Sequence, residues 1–521
     1  MKKKLKKYVA VVLALVMAFA MSVTTFAAAN GKIQIKANGS QTLEGRTFNA
    51  YKLYNVKVDQ TGKKFSYTEC SAEATEKVAA AIKTAGSTAE TVDDQVKWLN
   101  DNKDNAEELE KFVNALDVAG LKVAGTTDDG TGIISGLDDG YYVVTEVVGE
   151  AQKDKAVALS MLDTVFNGGT AEVKLKADAP TVDKKVKDSE DDVYGTEVDQ
   201  EIGKLVDYKI TTTIPSDEIL RGYSKYTYIV NDTLSKGLEV KGTPVVHWAD
   251  ADGNPIGDAL AETDYTYEKT GDATTETKLE FNIGNGDLKT ISDSKPEGAK
   301  GFVITYQAKV TEDAVVESTG NANTVNIEYS NNPSKDTTSN TIDKEVKVFT
   351  YKLNIEKVDG ADKKTKLAGA EFELYRDAEC SKKVITLANG EGKYIVSDSG
   401  ESVVMVSDAN GSIIIEGLKE GTYYLKETKA PEGYNLLKDP IKIDIADKNL
   451  ENNNVTDASE VEIKVNGIAV DGSKVIVENN SGNELPSTGG AGTTILYIFG
   501  ILASAAAVFY FTMNKKSKDA K

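Results

Sequence analysis

The 521-residue chain is poor in the side chains on which most enzymes depend. It has one histidine (His247), two cysteines (Cys70 and Cys380), two tryptophans and nine prolines. An HExxH zinc helix is excluded, a CxxC pair is absent, and a Ser-His-Asp triad is nearly ruled out. No P-loop occurs, and the Asp250–Asn254 stretch DADGN has its glycine misplaced for an EF-hand. No metal, no cofactor and no enzymatic activity are therefore expected. Positive charge is also in deficit. Sixty-one Lys and Arg against 82 Asp and Glu leave a net charge of −21, which disfavours nucleic acid and anionic lipid as partners. What remains is ample for folding: 40% hydrophobic residues can bury several cores, and the length suits three or four domains. The 23 tyrosines, with abundant Thr and Val, favour strands.

The two ends read as processing segments. Five lysines precede an apolar run from Tyr8 to Ala20 and then small residues at Ala27–Ala29, the pattern of a secretory signal peptide over 1–29. At the other end, the 21 residues from Thr493 to Met513 carry no charge. As a helix they would reach roughly 30 Å, one bilayer core. Lys515, Lys516, Lys518 and Lys521 follow and would hold that end in the cytoplasm. Immediately before the span stands Leu485, Pro486, Ser487, Thr488, Gly489.

Pentapeptide, span and basic tail in this order resemble the LPxTG cell-wall sorting signal of Gram-positive surface proteins. The resemblance implies that a sortase cysteine attacks the carbonyl of Thr488, expels Gly489 onward and passes the acyl group to an amine. The span (485–521 with its motif and tail) is then a transient membrane stop. Processing at both ends would take the net charge from −21 to −29, by loss of five front lysines and a net +3 at the back.

Between the ends, turn sequences such as DDGTG, NDTLSKG, GNGD and DANGS separate alternating runs such as LVDYKITTTI, TVNIEY and AEFELY. This predicts a mainly β chain of tandem antiparallel, immunoglobulin-like sandwiches. Ala74 to Ala119 departs from it, with apolar residues at helical intervals, and predicts a helical insertion. GLDDGYYVVTE (Gly136–Glu146) echoes GLKEGTYYLKE (Gly417–Glu427), so the first and last units should be alike. The expected units are 30–178, 179–346 and 347–482. The two cysteines fall in different units, which excludes a disulfide within either.

Strand alternation singles out a few residues. In LNIEKVD, Leu353, Ile355 and Lys357 share a face that should be core. A lysine there is costly unless neutralised or paired. Tyr423, Leu425 and Glu427 share another inward face, as do Val475, Val477 and Asn479; Asn480 has the wrong parity. The set resembles the Cna B-type domain, in which lysine and asparagine condense into an isopeptide bond beside a glutamate. YYLKETKAPEGY (Tyr423–Tyr434) resembles the pilin E-box. The resemblance implies that a neutral Lys357 amine attacks the Asn479 side-chain carbonyl while Glu427 shuttles protons and ammonia leaves.

In the second unit Lys184 lies between Val182 and Val186 on one face. Asp232 follows Tyr228 and Val230, and Asn323 precedes Val325, Ile327 and Tyr329. This resembles the fimbrial, Cna A-like isopeptide domain, implying a Lys184–Asn323 bond with Asp232 as the acid; Asn321 shares the parity of Asn323. In the first unit Ala37 stands where the lysine should be, so no such bond is expected.

The resemblance as a whole is to sortase-assembled backbone pilins. It implies sortase, identical subunits, ancillary pilins and peptidoglycan as partners, and an adhesive fibre at the cell wall. A lysine at the junction of the first two units would accept the Thr488 acyl group. AEVKLKADAP supplies Lys176, or alternatively Lys174, both facing out with solvent access, although the Tyr-Pro-Lys triplet of the family is missing and Asp178 occupies the overlaid position. Tension would then run through the second and third units, whose bonds would tie opening to closing strands. A monomeric wall-anchored adhesin, or a minor tip or base pilin, is the alternative reading.

Overall fold

The computed structural model describes residues 30–482, apart from 39–40, 60–64, 128–129, 150–154, 317–318, 451–459 and 471–473. The expected signal peptide, 1–29, and the sorting motif Leu485–Gly489 with the segment after it lie outside the described residues.

The chain is mainly β, and among the described residues its strands assemble into six sheets, two per unit. In the first unit a three-stranded sheet, with Gly31–Lys36 at its centre, faces a five-stranded sheet built around Phe48–Val58 and Gly140–Glu146. Ile33, Ile35, Phe48, Val144 and Leu175 fill the space between them. Three helices, Ala72–Thr84, Val92–Asp101 and Ala106–Ala115, occupy the predicted insertion. Ser71 and Thr91 cap the first two by accepting hydrogen bonds from Ala74 N and Asp94 N. Val78, Ile82, Leu99 and Phe112 form a second core against the outer face of the five-stranded sheet.

In the second unit, a five-stranded sheet carries Val182–Asp188 on its edge, next to Leu205–Thr212 and then Gly301–Val310. The seven-stranded sheet opposite carries Tyr228–Ser235 beside Asn321–Ser330. Strand Lys344–Phe349 pairs with Asn321–Ser330, Asn323 opposite Val346. The second unit therefore continues to Phe349, three residues past the expected boundary at 346, because that strand stays paired with Asn321–Ser330 and, at Phe349, with Asp199.

Thr350 alone separates that strand from Tyr351–Asp359, the first of the third unit. In the third unit the closing strand Lys474–Asn479 lies parallel to Tyr351–Asp359, and Gly421–Lys429 belongs to the facing sheet. The second and third units meet closely. Arg376 reaches Glu201 at 2.6 Å, Lys419 reaches Asp188 at 2.7 Å, and Ile202 N donates to Gly417 O at 3.1 Å. Gly417 has φ +92°, and a Cβ there would sit 2.7 Å from the Ile202 side chain, so the joint demands glycine twice over.

Candidate functional site: two buried lysine–asparagine clusters

Lys184 is 1% exposed and Lys357 fully buried, each among the apolar neighbours that strand parity predicts. Burial favours the neutral amine and lowers both pKa values to about 8, against the opposing pull of Asp232 on Lys184 and of Glu427 on Lys357.

In the second unit, Lys184 Nζ donates to Asp232 Oδ1 at 2.5 Å and lies over the rings of Tyr208 and Tyr306, 5.2 and 5.6 Å from their centroids. Tyr306 donates its hydroxyl hydrogen to Asp232 Oδ2 at 2.5 Å and accepts from Asn323 Nδ2 at 2.6 Å and from Lys184 Nζ at 3.3 Å. The Asn323 amide oxygen is buried without a hydrogen-bond partner. Asn321, of equal parity, is differently employed. Its oxygen accepts from Val315 N, and its nitrogen donates to Val315 O and Val348 O.

In the third unit, Lys357 Nζ donates to Val477 O at 3.0 Å, two residues before Asn479 on the adjacent strand. Asn479 Nδ2 donates to Glu427 Oε2 at 2.8 Å and to Asn435 O at 2.5 Å. Leu437 N donates to the same Glu427 oxygen. Asn479 Oδ1 and Glu427 Oε1 are buried and unpartnered, a state that costs roughly 1–3 kcal/mol per group. Asn480 is exposed. Lys357 and Asn479 lie on the opening and closing strands, whereas Asn323 lies on a strand that Lys344–Phe349 still follows; the expected tie from first to last strand is therefore not the geometry of the second unit.

The first unit holds an ion pair in the corresponding region. Ala37 is exposed, beyond the end of its strand. Glu146 faces Arg46 at 2.8 Å, with both side chains at most 1% exposed. Ala158 N donates to Glu146, and Arg46 also donates to Ala156 O and Gln41. Burial raises the Glu146 carboxyl, with Arg46 pulling the other way. Strand parity and motif spacing pass over Arg46 and Tyr306. Arg46 is one of three arginines in a lysine-rich chain (with Arg221 and Arg376), a scarcity that could have drawn notice. Tyr306 alternates inward with Phe302 and Ile304, indistinguishable by pattern from an ordinary core tyrosine.

At the first junction, Val173 and Leu175 are buried and Lys174 is exposed, as alternation requires. Lys176 is less open than expected: its side chain is 28% exposed, and Nζ is 3.1 Å from both Glu110 and Glu218. The reason is convergence of the helical insertion and of helix Asp217–Arg221 over the strand end. Burial depresses the Lys176 pKa, but the two carboxylates outweigh it and the net shift is upward. Asp178 accepts from Ser216 N instead.

Residues 202–333 match the family described as Gram-positive pilin backbone subunit 2, Cna-B-like domain; 351–459 match the SpaA prealbumin-like fold domain; and 477–519 match the LPXTG cell wall anchor motif. The trypsin-resistant surface T6 protein of Streptococcus pyogenes serotype M6 is 28% identical over 281 residues, 50% of this chain and 45% of that protein. Fimbrial subunit type 1 of Actinomyces viscosus is 27% identical over 356 residues, 61% of this chain and 62% of that protein. The chain thus spans about half to three-fifths of the length of these curated relatives. Among solved structures, the three-domain T6 backbone pilin of S. pyogenes serotype M6 aligns over 87% of this chain and 98% of its own, with a TM-score of 0.50 and 18% identity, a likeness of fold.

Proposed function

We propose, for a chain assembled from the Gram-positive pilin-backbone, SpaA prealbumin-like and LPXTG-anchor domain families, that it is the structural backbone subunit of a covalent, wall-anchored pilus. A sortase joins Thr488 of one subunit to a junction lysine of the next, and the last subunit is transferred to peptidoglycan. Lys176 is the favoured acceptor and Lys174 the alternative. Residues 30–178, 179–349 and 350–482 act as successive shaft domains.

Within the second and third domains, Lys184 and Lys357 condense with Asn323 and Asn479, assisted by Asp232 and Glu427. The observation that supports this most directly is common to both: a fully buried lysine, a buried carboxyl, and an asparagine whose amide oxygen accepts no hydrogen bond. A desolvated neutral amine is a nucleophile, and an uncompensated carbonyl oxygen is where a developing negative charge can be received. Each bond closes a loop of about 120–140 residues, worth roughly 5 kcal/mol of chain entropy.

Two experiments test the reading. The intact folded body should weigh less than its sequence by two ammonia losses, about 17 Da each; an unreduced mass defeats both bonds. Wall extracts should show a high-mass ladder that collapses on K176A or on K174A. A single band in the unmodified strain would mean a monomeric anchored protein.

A further inference from the structure

The geometry of the second domain points to Tyr306 as a catalytic residue of Lys184–Asn323 bond formation, carrying a proton from the Asp232 carboxyl to the departing asparagine nitrogen. The inference rests on the isopeptide reading above and deepens it. Tyr306 Oη is the one atom placed within hydrogen-bond reach of all three participants: Asp232 Oδ2 at 2.5 Å, Asn323 Nδ2 at 2.6 Å and Lys184 Nζ at 3.3 Å. Asp232 Oδ1 is occupied by Lys184 Nζ, and no direct hydrogen bond joins the Asp232 carboxyl to the Asn323 amide. In the third domain the carboxyl touches the amide directly, Asn479 Nδ2 donating to Glu427 Oε2. An aspartate is one methylene shorter than a glutamate, and the phenol hydroxyl fills the gap.

Within the Lys184–Asp232 pair one proton first passes to the carboxyl, leaving a neutral amine. The Nζ lone pair attacks Cγ of Asn323, and the carbonyl π electrons move to Oδ1. Nδ2, now pyramidal, has a lone pair of its own and accepts the Tyr306 hydroxyl proton, while Oη takes the carboxyl proton from Asp232. The Cγ–Nδ2 bond breaks as the oxyanion collapses, and ammonia leaves. Nζ returns its surplus proton to Asp232. The products are one secondary amide and one ammonia, with the Tyr306 hydroxyl and the protonated Asp232 carboxyl restored.

The test compares the second domain with the third in the same molecule. Full-length mature chain is refolded from denaturant as freshly made, unbonded protein, and each loss of about 17 Da is assigned by mass mapping over time. In Y306F, which keeps the ring stacked on Tyr208 at 5.1 Å, the Lys184–Asn323 bond should form at least tenfold more slowly, while Lys357–Asn479 forms at the unmodified rate. A fluorinated tyrosine at 306 keeps both ring and hydroxyl, so folding is preserved, and should change the rate of the second-domain bond alone. Unchanged second-domain rates in both variants overturn the role of Tyr306. Absence of either loss in the unmodified chain would instead overturn the isopeptide reading itself.

Discussion

The second and third domains bring the same three kinds of side chain together by different routes. In the third, Lys357 and Asn479 come from adjacent parallel strands of one sheet, and Glu427 overhangs them from the other. In the second, Lys184 belongs to one sheet while Asp232 and Asn323 sit on neighbouring strands of the opposite sheet, so the contact crosses the sandwich. Under the proposed condensation, desolvation and reach set the arrangement, and strand topology can vary so long as the amine is buried and a carboxyl or phenol touches the amide. The first domain holds an equally buried contact of another kind, the Arg46–Glu146 ion pair, whose guanidinium stays charged and is no nucleophile.

Substitutions should separate these cases. The largest effects are expected from K184A and K357A, each of which removes its bond and with it about 5 kcal/mol of chain-entropy stabilisation. Calorimetry showing no loss in one of them would remove the cross-link proposed for that domain. R46A should destabilise the first domain by about 3–5 kcal/mol through the stranded Glu146 carboxylate, with no change of mass defect.

A pH series probes the two amines directly. In N323A/N479A both lysines stay unbonded, with folded pKa values of about 8 and an unfolded value near ~10.4. The unfolded chain then binds more protons between these values, so stability should rise as pH increases from about 8 to about 10, by at most about 3 kcal/mol per lysine. Above that window the buried tyrosines, whose folded pKa values are raised, reverse the slope. Denaturant titrations that are flat or falling between pH 8 and 10 would refute the burial of neutral amines. The smallest effect is expected for N321A, about 2 kcal/mol from backbone groups left unpaired, with both ammonia losses intact.

Much of this was legible in the sequence because strand alternation is a strict rule. Lys357, Glu427 and Asn479 announce themselves as polar residues on apolar faces, and the sandwich class follows from turn spacing. Parity could not separate Asn321 from Asn323, since both point inward; the discrimination lies in Val315 and Val348, whose backbone groups occupy the former. Nor could it foresee the partial enclosure of Lys176, which is imposed by Glu110 and Glu218 from distant segments. Arg46 and Tyr306 stayed hidden because their partners are fixed by tertiary contact alone.

If Lys184 and Asn323 are joined, the position of Asn323 two strands short of the domain's exit would give the proposed fibre an elastic element. Load entering through residue 184 would cross to residue 323 and leave at Phe349, at the same end of the hairpin formed by Asn321–Ser330 and Lys344–Phe349. Pulled there, the ladder opens pair by pair, like a zip. Roughly 26 residues beyond Asn323 would unspool at ~3.4 Å each, about 90 Å of slack per subunit, before the covalent thread tightens. The third domain, fastened at both ends, would supply none, so stretching a single fibre should reveal one recoverable extension per subunit.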